Sequence, residues 1–134
     1  MGNARNVIAI VDDDEGVRRA LRRMILSLAH APVTFASGEE FLDGLAGASP
    51  DCAILDLHLP ALRGIEVLER LRAEGSMLPV IIVTGLDQPG MRERCLGAGA
   101  AAYLTKPLGS ADVSAEIEAI LGNARHVSQR GRVG

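Results

Sequence analysis

The sequence predicts an α/β protein: a single doubly wound (βα)5 domain with a five-stranded parallel sheet covered by helices on both faces. Three observations predict it. Short apolar runs bounded by turn residues alternate five times with longer stretches of helical period, the pattern of successive strand–helix units. Most of these runs are continuously apolar rather than alternating, as strands buried on both faces are. Acidic or hydroxyl residues stand where several runs end, and in an open parallel sheet the functional crevice lies beyond the carboxyl ends of the strands.

The first run covers residues 7–11 and leads into Asp12, Asp13, Asp14 and Glu15. Asp14 stands where a helix N-cap belongs. Beyond it Val17, Ala20, Leu21, Met24, Ile25 and Leu28 share one helical face, and Arg18, Arg19, Arg22 and Arg23 fall away from it. After the second run, 33–35, Ser37 and Glu40 form a capping-box pattern; the helix it opens turns Phe41, Leu42 and Leu45 inward and ends over 47–50. The third run, 52–55, ends at Asp56. A third helix starts near residue 64, packs through Ile65, Val67, Leu68 and Leu71, and stops at Gly75. The fourth run, 80–83, precedes Thr84. Gly90, Gly97 and Gly99 dilute the fourth helix, which offers only Met91, Cys95 and Leu96 for apolar contact. The fifth run, 101–104, precedes Lys106 and Pro107, and the fifth helix, from about residue 110, buries Val113, Ile117, Ile120 and Leu121. The folded domain is thus expected over 1–121. Residues 122–134 carry Arg125, Arg130 and Arg132 with no acid and are expected to form a flexible basic tail.

A length of 134 residues with 48% hydrophobic content suffices for one core without disulfides. The formal charge of -3 speaks against direct nucleic-acid binding by this chain, which wants a basic field. No run approaches the roughly 20 apolar residues of a membrane span, and the amino terminus lacks a signal-peptide core, so a cytoplasmic location is expected. Cys52 and Cys95 have no CxxC spacing and are expected to be reduced thiols.

Asp12, Asp13 and Asp56 are expected to gather at the strand ends, where their repulsion would raise a pKa or call for a cation. Magnesium suits such a site, since it takes oxygen ligands and needs only one or two carboxylates plus a phosphate oxygen. Lys106 offers a second positive charge for a phosphoryl group. An Asp beside a lysine and a metal is a candidate nucleophile for phosphoryl transfer, a reaction dominated by positioning and charge neutralisation. The Thr84 hydroxyl either ends a strand or bonds a phosphoryl oxygen.

The segments Ile10-Val11-Asp12-Asp13-Asp14-Glu15, Ile54-Leu55-Asp56-Leu57-His58-Leu59-Pro60, Arg63-Gly64, Ile82-Val83-Thr84-Gly85 and Ala102-Tyr103-Leu104-Thr105-Lys106-Pro107 together resemble the receiver domain of bacterial response regulators in two-component signalling, over about residues 5–121. The resemblance implies a flavodoxin-like fold with strand order 2-1-3-4-5. It implies that Asp56 is the phosphoacceptor, with magnesium held directly by Asp13, through water by Asp12, and by Asp56 and the His58 backbone carbonyl; the His58 ring is expected to face solvent. Lys106 would pair with the phosphoryl group from a cis Lys106–Pro107 bond. Thr84 would move toward that group and Tyr103 swing inward behind it, the family's switch. The phosphoryl donor would be a sensor histidine kinase or histidine phosphotransfer protein docking on the first helix, where Arg18 and Arg22 are candidate contacts. Output would run through the face made by the fourth helix, fifth strand and fifth helix, to a downstream protein or a homodimer.

Residues 35–42 and 60–64 look most like receivers of the nitrogen-fixation regulator subgroup, although Leu86 stands where that subgroup more often has His. A standalone receiver is the expectation, with the receiver fragment of a DNA-binding transcriptional regulator as the alternative. From another class, a small aspartyl-phosphate phosphatase of the haloacid dehalogenase type is suggested by Asp12 and Asp14, but neither its following residues nor a cap is present. Gly97-Ala98-Gly99 follows a helix and precedes a strand, the wrong context for a dinucleotide fingerprint. The chain is therefore expected to be no enzyme beyond its own phosphorylation and dephosphorylation.

Overall fold

The computed structural model describes the backbone of residues 6–133 and the side chains of residues 6–122. The elements alternate as β1 (Val7–Val11), α1 (Glu15–Ser27), β2 (Ala31–Phe35), α2 (Gly38–Ala48), β3 (Cys52–Asp56), α3 (Gly64–Ala73), β4 (Val80–Thr84), α4 (Met91–Gly97), β5 (Ala102–Thr105) and α5 (Ser110–Val133). All pairings are parallel and the sheet order is β2-β1-β3-β4-β5, the flavodoxin-like order that the resemblance implies.

Successive strand residues point to opposite faces, and this sorts the interior into two layers. Ala9, Val11, Ala53, Leu55, Val80 and Ile82 face α2, α3 and α4, where they meet Phe41, Leu68, Leu71 and Cys95. Ile8, Ile10, Cys52, Ile54, Ile81 and Val83 face α1 and α5, where they meet Leu21, Ile25, Val113 and Ile117. Both β3 and β4 are buried along their whole length, which is why their sequences read as unbroken apolar runs. Phe41 is fully buried and meets the Phe35 ring edge-on at 5.5 Å; truncating it to Ala is expected to cost about 3–5 kcal/mol.

Departures from the predicted bounds have local causes. β2 begins at Ala31 rather than 33 and contains Pro32; at the sheet edge the missing N–H has no ladder partner to lose. β5 is shifted by one residue, to Ala102–Thr105. α5 runs to Val133, past Leu121, where its apolar period stops. The tail expected over 122–134 falls, from residue 123 onward, outside the described side chains. α4 is a helix, as expected, but only seven residues long, and it is entered through Gly90 at φ 83, a left-handed conformation that glycine adopts without penalty.

Candidate functional site

The same alternation places the reactive side chains. Continuing the Ile8–Ile10 face brings Asp12 beyond the end of β1, continuing Cys52–Ile54 brings Asp56 to the end of β3, and two residues past Leu104 stands Lys106. The three meet: Lys106 Nζ lies 2.9 Å from Asp12 Oδ2 and 3.7 Å from Asp56 Oδ2. Asp12 and Asp56 are buried, and Asp13 is exposed beside them. One carboxylate oxygen from each of Asp12, Asp13 and Asp56 lies within 4.8 Å of the others. The Lys106–Pro107 peptide is cis.

Asp12 is held at every polar atom. Its N–H donates to the Phe35 carbonyl at 3.2 Å, Oδ1 accepts from the Asp14 N–H at 2.9 Å, Oδ2 accepts from Lys106, and its carbonyl accepts from Arg18 Nη1 at 2.8 Å. Asp14 itself caps α1, accepting from the Val17 N–H at 3.0 Å. Asp56 Oδ1 accepts from the His58 N–H at 3.3 Å, and a Cβ at Gly64 would run into the Asp56 carbonyl and crowd Leu57 Cα. The start of α3 therefore presses directly against the end of β3 that carries Asp56.

Burial pushes the Asp56 carboxyl above the ordinary carboxylate range, and the neighbouring Asp12 charge pushes further, against the pull of Lys106. For Lys106 burial works to lower the pKa, but its hydrogen bond to Asp12 and the charges of Asp56 and Asp12 outweigh it, so the ammonium is held above its usual value. Asp12 and Asp56 thus share one ammonium, with the Asp13 carboxylate close by. The donor set is all oxygen, carries unrelieved negative charge and opens on the exposed Asp13 side, which fits a hard divalent ion such as magnesium.

Among the described residues, the hydroxyls of Thr84 and Tyr103 bond to Leu86 and Asp87 rather than to Asp56. Both residues are buried, and each is engaged by the β4–α4 loop. Thr84 Oγ1 accepts from the Leu86 N–H and donates to the Leu86 carbonyl, both at 3.0 Å. The Tyr103 hydroxyl donates to Asp87 Oδ1 at 2.8 Å, and Arg92 Nη1 donates to the Tyr103 carbonyl at 3.3 Å. Burial and the Asp87 carboxylate push the Tyr103 phenol pKa up. The His58 ring is exposed, with Nε2 3.4 Å from the Leu86 carbonyl. Sequence reasoning missed Asp87 and Arg92, which no spacing rule links to Tyr103. It placed Arg18 only on a docking surface, since its contact depends on how α1 leaves β1.

The family model described as "Response regulator receiver domain" matches residues 8–118. The Response regulator MprA of Mycolicibacterium vanbaalenii is 38% identical over 114 residues, which are 85% of this chain and 49% of that protein. The chain spans about half the length of the curated relatives it matches. Among solved structures, a response regulator receiver protein from Burkholderia phymatum is 44% identical with a TM-score of 0.77, covering 88% of this chain and 96% of that one. The Vibrio cholerae chemotaxis protein CheY4 shares the fold, with a TM-score of 0.81 at 22% identity over 87% of this chain and 99% of that one. Among the described residues no helix is long and apolar enough to cross a membrane.

Proposed function

This chain belongs to the response regulator receiver domains, and from that premise we propose that Asp56 accepts a phosphoryl group from a sensor histidine kinase or a histidine phosphotransfer protein. The observation that carries the reading is the convergence of Asp56, Asp12 and Asp13 within 4.8 Å, with the Lys106 ammonium 3.7 Å from Asp56. An oxygen of the Asp56 carboxylate attacks the phosphorus of the donor phosphohistidine. The P–N bond breaks, its electron pair returns to the imidazole nitrogen, and an aspartyl phosphate is left on this chain. Lys106 can turn from Asp12 toward the incoming phosphoryl oxygens, and the His58 N–H orients Asp56 through Oδ1. Asp12, Asp13, Asp56 and the His58 carbonyl are the residues that would hold magnesium, which supplies charge neutralisation for a phosphoryl group when bound.

The donor is proposed to dock over α1, where the cleft lined by Val17, Ala20, Met24, Gly85, Lys106 and Pro107 gives an apolar approach beside the lysine. The response is proposed to pass from Thr84 and Tyr103 into α4, β5 and α5, and on to a downstream protein, a second copy, or the DNA-binding part of a longer regulator. In this role the chain is a phosphorylated cytoplasmic signalling module rather than an enzyme with a turnover substrate. Kinship with the nitrogen-fixation regulator subgroup is supported by residues 35–42 and 60–64 alone.

The test is incubation with magnesium and acetyl phosphate, followed by intact-mass measurement of wild type and Asp56→Asn. Wild type is expected to gain one phosphoryl group and the variant none. Uptake by Asp56→Asn, or no uptake by wild type from either acetyl phosphate or a phosphorylated histidine kinase, overturns the reading.

A further inference from the structure

Asp12 and Asp13 leave β1 where its pairing runs out. The Asp12 N–H still reaches the Phe35 carbonyl on the β2 side, but Phe35, opposite Val11, is the last residue of β2. A carbonyl beyond that point has no strand to accept from. Helix α1 supplies the donor, Arg18 Nη1 at 2.8 Å, from six residues further along the chain. This carbonyl belongs to the peptide that joins Asp12 to Asp13. The peptide is planar, so holding its oxygen holds the plane that carries both Cα atoms and restricts the rotation, Asp12 ψ and Asp13 φ, on which the directions of the two acidic side chains depend.

We infer that Arg18 is a positioning residue for the cation site: its guanidinium holds the Asp12–Asp13 peptide so that both carboxylates stay within reach of a single divalent ion. The inference rests on the cation-assisted phosphoacceptor reading given above. Arg18 is half-buried, unlike Arg19, which is exposed and pairs with Glu15 at 3.1 Å on the same helix. The two arginines are adjacent in sequence and equal in charge, but Arg18 bonds to the Asp12 carbonyl and Arg19 to Glu15 at the start of the helix.

Charge and placement pull in opposite directions, which gives the test its sign. A guanidinium beside three acids repels an arriving divalent cation, so if charge were its whole effect, removing it would tighten metal binding. If it holds the peptide in place, removing it loosens metal binding, as happens when groups that orient a ligand are lost.

The experiment measures Mn2+ binding to the full chain by electron paramagnetic resonance of the free ion, and Mg2+ by competition, with no phosphodonor present. Arg18→Met is expected to weaken Mn2+ binding roughly tenfold. Arg18→Lys is expected to fall between it and wild type, since an ammonium restores charge and a donor but not the planar fork. Arg19→Met, which removes the same charge one residue away, is expected to bind as wild type or slightly tighter. Should Arg18→Met not fold, Arg18→Lys decides alone, and binding equal to wild type sinks the inference. Equal or tighter binding by a folded Arg18→Met overturns it while leaving the phosphoacceptor reading intact. Absence of Mn2+ binding by wild type overturns both.

Discussion

The acid–lysine cluster and the Thr84–Tyr103 pair lie at the same edge of one sheet, yet they are held in opposite ways. The cluster is closed by long-range contacts between strand ends: Lys106 meets Asp12 across 94 residues of chain, and Asp12 is bonded at every polar atom. The pair hangs on one exposed loop, Thr84 on Leu86 two residues away and Tyr103 on Asp87 sixteen away. Residues 85–90 of that loop are all exposed, and α4 beyond them has seven residues and one buried side chain, Cys95. Chemistry needs fixed geometry and is built on buried strands. A response needs an element that few contacts hold, so that a small change can move it.

The contrast predicts that chemistry and response can be separated by mutation. Asp56→Asn is expected to give the largest effect, complete loss of phosphoryl uptake, because the other carboxylate at Lys106, Asp12, has both oxygens already engaged, by the Asp14 N–H and by the lysine. Thr84→Ala leaves the acids untouched and is expected to retain uptake while losing the spectral change in α4, read as amide NMR shifts on adding beryllium fluoride and magnesium. If Thr84→Ala also abolished uptake, the two regions would be one unit and the separation wrong. Next in size is Gly64→Val. A branched side chain there meets the Asp56 carbonyl and Leu57 Cα, backbone that cannot turn aside, and a loss of about 3 kcal/mol is expected in urea denaturation. A cost under about 1 kcal/mol would show that the acceptor loop yields, contrary to a rigid chemical region.

What could be read from the sequence follows the same division. Buried strands announce themselves through apolar runs, and the acids, threonine and lysine at their ends inherit positions from the sheet, so the places of residues 12, 13, 56, 84 and 106 beyond the strand ends can be read from the sequence. Pro32 hid the first half of β2, because proline argues against a strand unless the strand is known to be an edge. The contacts that were not legible, Arg18 to Asp12 and Asp87 to Tyr103, are made by long or loop-borne side chains. Their geometry depends on turns between elements, and no periodicity encodes those.

The raised Asp56 pKa sharpens the view of the cluster as a region held against its own charge. Its folded value lies above the unfolded one, so between the two the folded chain keeps a proton that the unfolded chain has released, and stability falls as pH rises through that interval. Asp56→Asn removes this penalty and leaves Lys106 its 2.9 Å contact with Asp12. The variant is expected to melt above wild type at pH 7, with the gap closing as pH drops below the ordinary carboxylate pKa of about 4. Magnesium should narrow the gap at pH 7 by stabilising wild type more than the variant, which lacks one of the three carboxylates. A pH-independent gap, or none, would mean that the acids are not under mutual strain.

The smallest effect belongs to the Tyr103 hydroxyl, and it is the most informative about the loop. Tyr103→Phe keeps the buried ring and deletes only the hydroxyl that donates to Asp87. The freed carboxylate sits on an exposed loop where water can serve it, so the cost is expected to be about 1 kcal/mol or less. Uptake at Asp56 should be unchanged. Hydrogen exchange of residues 85–97 should quicken, since the hydroxyl links the loop before α4 to β5, and the remaining bond there, from Arg92 to the Tyr103 carbonyl, is longer at 3.3 Å. Asp87→Asn keeps an acceptor for the hydroxyl and should speed exchange less than Tyr103→Phe. If both variants exchange as wild type does, the loop is held by packing rather than by this bond, and the proposed route from Thr84 to α4 must bypass Tyr103.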